Sequence, residues 1–310
     1  MKLEKQGVIM AGIKIHIGHG KTGSSYLQAA LAASEAELSL AGYCYPLHEQ
    51  TKQKALRGET TSGNVRDDKL AEFLTKNSCP PDHKLLVSNE GLFLRFASGE
   101  GINTVLEKFS PPDVSILLMV RNPLENAASS YLQAVQKRTF SGHFESALRS
   151  FNQPANVARV IRNCRNAGID LEVKNYSRHR HEILKVVSHW LGVDLNRPKQ
   201  ETINRSLTST EAEIQRRLNK MARDPKVLAM TDRIIEELPD IIPDKPKVAP
   251  EVISAFFDRI REQVDEVHNL LGVELYQREN SEPYTCLGKP KYFLESEQIE
   301  FITKIMASHS

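Results

Sequence analysis

The chain has 310 residues, with 41 Lys and Arg against 39 Asp and Glu and a formal net charge of +2. So even a balance gives no broad cationic field, which argues against general nucleic-acid binding. The length is enough for one large α/β domain or a domain with an appendage. The four cysteines, Cys44, Cys79, Cys164 and Cys286, have no CxxC spacing, which points to a reducing compartment and against a zinc site.

The first apolar run, Val8 to Gly18, is broken by Lys14 and is far shorter than the ~20 residues that cross a bilayer. No signal peptide is evident, so the expectation is a soluble, cytoplasmic protein without a membrane span. Ile13–Ile17 reads as a strand, and an Ala- and Leu-rich helix follows from about Gly23 to Leu40. Tyr43–Tyr45 is a short second strand. His48 to Asp68 is polar, contains Gly58, Thr60, Thr61, Ser62 and Gly63, and reads as a mobile loop or lid.

Lys84–Ser88 is a third strand. Val114–Val120 is a fourth, apolar throughout as in a buried parallel strand, and Leu171–Asn175 is a fifth. Strands separated by helices predict an α/β fold with a parallel sheet between helices. Ligands of such sheets bind at the carboxyl ends of strands, where Gly18, Glu90, Arg121 and Tyr176 fall. Beyond about residue 200 the pattern turns helical: Ser209–Met221, Lys226–Glu237, Pro250–Leu271 and Glu295–Ala307, with Pro239, Pro243, Pro246 and Pro250 marking a connector. The expected division is therefore a core over residues 1–200 and a helical extension over 201–310, packed together as part of a single domain.

The stretch that carries most chemistry runs from Ile13 to Gln28. A strand leads into a turn with Gly18, Gly20 and Gly23, and a helix begins directly after it. Glycines let backbone N–H groups close around an anion, and the helix N-terminus adds partial positive charge there. Lys21 adds a full charge, and Thr22, Ser24 and Ser25 add hydroxyls. The loop is shorter than G-x-x-x-x-G-K-[ST], since Ile15 stands where the first glycine belongs. No apolar strand ends in an Asp that would hold Mg²⁺ beside a triphosphate. The later strands lead instead into Ser88-Asn89-Glu90 and Arg121-Asn122-Pro123.

His16 to Ser25 resembles the 5′-phosphosulfate loop of sulfotransferases that use 3′-phosphoadenosine 5′-phosphosulfate (PAPS). Ile116 to Tyr131 resembles the same family's 3′-phosphate motif, in which an arginine ends a strand and a serine follows eight residues later on a helix. The order of the two motifs and their strand-then-helix settings match the family over roughly residues 10–200. The resemblance implies that Gly20, Lys21, Thr22, Gly23, Ser24 and Ser25 bind the phosphosulfate, while Arg121 and Ser129 bind the 3′-phosphate. Tyr176 matches a tyrosine near the adenine.

The chemistry of the residues agrees. Arg121 suits a bidentate phosphate contact. Pro123, at a first helical position, would aim helix N-terminal amides at the same anion. The chain departs from the family at Asn126, where many members carry a second arginine, and after Tyr176, where Ser177-Arg178 replaces an acidic segment.

For catalysis, Glu90 at a strand's carboxyl end is placed to take the acceptor's proton, a contribution typically worth ~10²–10⁴ in rate. Related enzymes acting on carbohydrates use a glutamate in this role. Lys21 would balance charge on the oxygen between phosphorus and sulfur as that bond breaks. His19, within the loop, is a third candidate, and His16 at the strand end reads first as a structural residue. Arg178 to His181 reads as a solvated basic turn. Asn204 to Leu207 resembles a loop seen after the core in bacterial members, with closure over the cofactor as one reading of it.

These readings predict sulfuryl transfer from PAPS to a hydroxyl or amine of a small-molecule or carbohydrate acceptor, with no metal. Two alternatives stay open: a P-loop-type kinase using ATP and Mg²⁺, and a non-catalytic nucleotide-binding scaffold. Oligomeric state and the acceptor's identity are not readable from the sequence.

Overall fold

The computed structural model describes residues 11–57, 59, 61, 63–77, 79–198, 205–221 and 224–307. The chain divides into two compact units. One takes in the described parts of Met1–Asn122, Gln153–Ile203 and Gln263–Gln277; the other takes in those of Pro123–Asn152, Asn204–Glu262 and Arg278–Ser310. Residues 123–152 group with the later helices, and Gln263–Gln277 with the sheet. The helix Pro123–Gln136 receives Asn219, whose Nδ2 donates to the Val135 carbonyl at 2.9 Å. A pairing that joins residues so distant in sequence leaves no compositional seam to read.

The first unit holds a five-stranded, all-parallel sheet in the order β2-β3-β1-β4-β5. Its strands are β1 (Ile13–Gly18), β2 (Tyr43–Cys44), β3 (Lys84–Ser88), β4 (Val114–Val120) and β5 (Asp170–Asn175). The expected strands all form, each within a residue of its expected ends. Strand alternation splits the side chains between two helical layers. Ile13, Ile15 and Ile17 enter one core with Leu85, Val87, Ile116 and Leu118, packed beneath Phe93, Phe96 and Val157. Leu86, Leu117 and Met119 face the other way, onto Leu27 and Leu31 of α1 (Ser24–Ala33) and the helix Ile183–Leu191. Burial on both faces explains the apolar run Ile116–Val120 of β4.

Two expectations change. The helix expected to run unbroken to Leu40 stops at Ser34, and α2 (Glu35–Leu40) restarts there. Ser34 Oγ donates to the Ala30 carbonyl at 2.8 Å and accepts the Asn196 N–H at 2.8 Å, a local competition that serine brings to helix interiors. Within the polar segment read as a lid, α3 (Glu49–Leu56) forms, and Asn64 is bonded to β3; Gly58, Thr60 and Ser62 lie outside the described residues.

In the second unit Arg205 is nearly buried and makes a two-pronged pair with the fully buried Glu211, at 2.8 and 2.9 Å. Glu211 also accepts the Thr208 N–H at 2.8 Å and the Gln298 amide at 2.6 Å. A charge this enclosed needs such saturation. Arg205 is therefore committed to holding its own helices, which corrects the reading of this loop as a cover for a cofactor. Asn204 lies outside the described residues.

Candidate anion and nucleotide site

β1 ends at Gly18 and α1 begins at Ser24, so residues 19–23 form the turn. A Cβ on Gly18 would sit 2.4 Å from Thr22 Oγ1 and 3.1 Å from the Met119 carbonyl oxygen, which explains the glycine. Gly23 has φ +79°, and its Cβ would lie 2.7 Å from Tyr176 Cε2. Lys21 shares the left-handed region at φ 74°. That conformation costs a side-chain-bearing residue about 1–2 kcal/mol, and strain of this kind concentrates at functional loops.

The hydroxyls of the turn divide in their roles. Thr22 is fully buried and donates to the His19 carbonyl at 3.0 Å, so its single proton closes the turn and does not face a ligand. Ser25 is half-buried. Ser24 Oγ is buried with no hydrogen-bond partner among the described residues. Buried hydroxyls are ordinarily satisfied, and an anion's oxygen at this point would complete it. No side chain caps the N-terminus of α1, the condition that an anion at that end requires.

His19 joins this turn to the end of β4. Its Nε2 accepts the backbone N–H of Arg121 at 2.9 Å, while Nδ1 meets the Gly20 carbonyl at 3.4 Å. Both contacts suit the neutral ring with its proton on Nδ1. Burial pushes its pKa down to about 4, and the positive charge of Arg121 acts in the same direction. Arg121 reaches back, with Nη1 donating to the Lys21 carbonyl at 3.2 Å, and its guanidinium lies 5.6 Å from the centre of the Tyr176 ring.

Glu90 follows β3. The ladder between β1 and β3 runs one residue past the strand, with the Asn89 N–H donating to the His16 carbonyl at 3.2 Å, and the Glu90 carbonyl starts the next helix by accepting the Phe93 N–H. The Glu90 side chain is half-buried, and its carboxylate makes no hydrogen bond or ion pair among the described residues. His16, one strand over, is buried with Nδ1 2.9 Å from Ser88 Oγ. Desolvation holds its pKa down at about 4, so it is a neutral residue of the sheet.

Tyr176 opens a short helix after β5 and packs over Gly23. At this point a cavity of about 1000 Å³ opens, lined by Gly23, Tyr26 and Tyr176, with Arg180, Lys185 and Arg197 among its polar walls. The turn, Arg121, Glu90 and Tyr176 all stand at the carboxyl ends of the first unit's strands.

Ser129 lies on the helix Pro123–Gln136 in the second unit and is half-buried. Pro123 begins that helix as expected, but its amides are taken within the same unit. Leu124 and Glu125 N–H donate to the two carboxylate oxygens of Glu279, at 2.9 and 2.8 Å. The internal carboxylate replaces the phosphate that the sequence reading put at this helix end.

Sequence reasoning missed the polar ties behind the site. Asn175 caps its helix by accepting the Ser177 N–H at 2.9 Å and donates to Asn122 Oδ1 at 2.7 Å and to the Leu275 carbonyl at 2.8 Å. The Asn-x-Ser spacing at a strand end signals such a cap; its long-range partners carry no local signal.

Among the described residues, no group of three His, Cys, Asp or Glu is arranged to hold a metal, and no helix is long and apolar enough to cross a membrane. No protein-family model matches this chain, and neither does any curated protein. Among solved structures, retinol dehydratase in complex with retinol and PAP is similar at 10% identity and a TM-score of 0.32, over 87% of this chain and 84% of that one. A similarity of that depth specifies no activity.

Proposed function

We propose that this chain is a sulfotransferase that uses PAPS as sulfuryl donor. The observation that carries the reading is the meeting, at Gly23, of an uncapped helix N-terminus with a cavity of about 1000 Å³, roomy enough for a nucleotide. The partnerless buried hydroxyl of Ser24 lies in the same turn. A ligand with an anionic group at one end and a planar base at the other fits both features.

In this reading the turn Gly20–Ser25 holds the phosphosulfate through main-chain amides, the Lys21 ammonium and the hydroxyls of Ser24 and Ser25. Thr22 shapes the turn. Arg121 contacts the 3′-phosphate, and Tyr176 and Tyr26 flank the adenine. PAPS supplies the sulfuryl group and leaves as 3′-phosphoadenosine 5′-phosphate (PAP).

Glu90 takes the proton from an acceptor hydroxyl or amine as that atom bonds to sulfur. The bond from sulfur to the bridging oxygen breaks, and its electron pair stays on that oxygen beside Lys21. His19 positions Arg121 and the loop, since its accepting nitrogen is already used. A carbohydrate is the acceptor class we favour, from the carboxylate base and the polar segment before Asp68.

Calorimetric titration with PAP, beside 5′-AMP and beside ATP with Mg²⁺, tests this. Micromolar binding of PAP with much weaker 5′-AMP is the expected result. Binding of ATP with Mg²⁺ and not of PAP would overturn it in favour of a kinase, and binding of none of the three would favour a scaffold.

A further inference from the structure

β2 pairs with β3 at two positions only, Tyr43 with Lys84 and Cys44 with Leu85. Along β3 the backbone groups alternate in direction. Leu85 and Asn89 N–H donate to β1's side, at the Gly12 and His16 carbonyls, and Lys84 N–H donates to the opposite side, at Gly42. The polar groups of Leu86 and Ser88 therefore face the side on which β2 has already ended.

One side chain takes over that edge. Asn64 Nδ2 donates to the Leu86 carbonyl at 2.9 Å, and Asn64 Oδ1 accepts the Ser88 N–H at 2.9 Å. The Asn64 backbone N–H adds a third bond, to the Ser88 carbonyl at 3.3 Å. An amide side chain thus stands in for a strand. Gly63 makes the approach feasible: its φ is +82°, and a Cβ there would lie 1.8 Å from the Ser88 oxygen.

The same segment is held at both ends. Thr61 Oγ1 donates to Gln28 Oε1 at 2.7 Å, on α1 one turn beyond Ser24. Asn89 Nδ2 donates to the Val65 carbonyl, and Asn89 Oδ1 accepts the Gly91 N–H, so Glu90 lies between two anchored residues. Thr61 in this way bonds to the helix that carries the anion turn, and Asn64 and Val65 bond to β3 and Asn89, at the strand end that carries Glu90.

We propose that Asn64 is a positioning residue that fixes Glu90 relative to the anion turn by completing β3 where β2 stops. The inference rests on the role given to Glu90 above. It assigns the polar Thr61–Val65 stretch a task in the chemistry, and it predicts that rate and donor affinity separate when the tie is cut.

The test compares wild type, Asn64→Ala and Asn64→Asp. The readouts are PAP binding, release of PAP from PAPS with water as acceptor, and amide hydrogen exchange. Asn64→Ala is expected to bind PAP within about twofold of wild type but release it at least about tenfold more slowly, the kind of loss that a small displacement of a catalytic group produces. Exchange at Ser88 and Asn89 rises while His19 to Ser25 stay protected. Asn64→Asp keeps the acceptor for Ser88 and falls between the two.

Faster exchange at Ser88 with unchanged PAP release overturns the positioning role. So does a parallel fall of PAP affinity, release rate and global stability, which marks Asn64 as structural. A wild-type protein that binds no PAP overturns the parent reading instead, and the exchange pattern then still tells whether Asn64 holds β3.

Discussion

The Nε2 of His19 accepts the main-chain N–H of Arg121 at 2.9 Å, across a sequence distance of 102 residues. One imidazole thereby fixes the anion turn after β1 against the end of β4. The return contact from Arg121 to the Lys21 carbonyl closes the link. A neutral ring thus ties the turn that carries Lys21 to the strand end that carries Arg121.

His19→Gln keeps an acceptor for the Arg121 amide, whereas His19→Leu leaves that buried N–H without a partner. The leucine variant should lose about 1–3 kcal/mol of stability, the cost of an orphaned donor, and should bind PAP more weakly. The glutamine variant should retain most of both. Urea unfolding and calorimetry measure these quantities. A glutamine variant that binds PAP like wild type but has lost all turnover would return His19 to the role of base.

Acid should weaken the fold through two histidines. Burial holds His16 and His19 at about 4, against an ordinary value of 6.5. Between those values the unfolded chain binds protons that the native state refuses, so their contribution is complete above pH 6.5 and is lost as pH falls toward 4. At pH 5 each should withdraw roughly 2 kcal/mol, from about 1.4 kcal/mol for each pKa unit. Urea midpoints at pH 7 and pH 5, for wild type and for His16→Asn combined with His19→Gln, check this; an equal drop in both proteins would refute it.

Lys21 sits at φ 74°, a conformation that suits glycine. Lys21→Gly should therefore raise stability by about 1 kcal/mol while abolishing sulfuryl transfer, because the ammonium is gone. Lys21→Ala should abolish transfer with no gain in stability. Thermal melts beside a PAPS assay separate the two effects, and a glycine variant less stable than the alanine one would show that the backbone at this point is not strained.

Glu90→Gln should leave PAP affinity within about twofold and reduce turnover by ~10²–10⁴, the range for a general base. Arg121→Ala should do the reverse in emphasis, weakening PAP by about 1.5–3 kcal/mol, as for hydrogen bonds to charged groups. If Arg121→Ala binds PAP as tightly as wild type, the 3′-phosphate assignment fails.

Much of this architecture is legible from residue order. The strands announce themselves because β1 and β4 are buried on both faces and are therefore mostly apolar, as in Ile116–Val120 of β4. The anion turn is legible because Gly18 and Gly23 answer local constraints, namely the Thr22 side chain four residues on and a left-handed backbone. Glu90 is legible as the acid that follows β3.

The same local logic misplaced other groups. Thr22 reads as a ligand donor, but its hydroxyl is used by the His19 carbonyl. Pro123 announces a helix start correctly, but nothing near it in sequence indicates that Glu279 fills that end. The polar segment His48 to Asp68 reads as a mobile loop or lid because its residues favour turns, whereas Asn64 spends its side chain completing β3.

The sequence by itself determined the order of strands and helices, the position of the anion turn and which residues bring charge to it. Those properties follow from side-chain periodicity and backbone preference, which act over a few residues. Only the tertiary structure decided which polar groups remain for a ligand: Thr22, His19, Arg205 and the amides of Leu124 and Glu125 are spent internally, whereas Ser24 Oγ finds no partner among the described residues. A hydrogen-bond donor has a fixed number of protons. Whether one is left over depends on partners that the chain brings close only by folding.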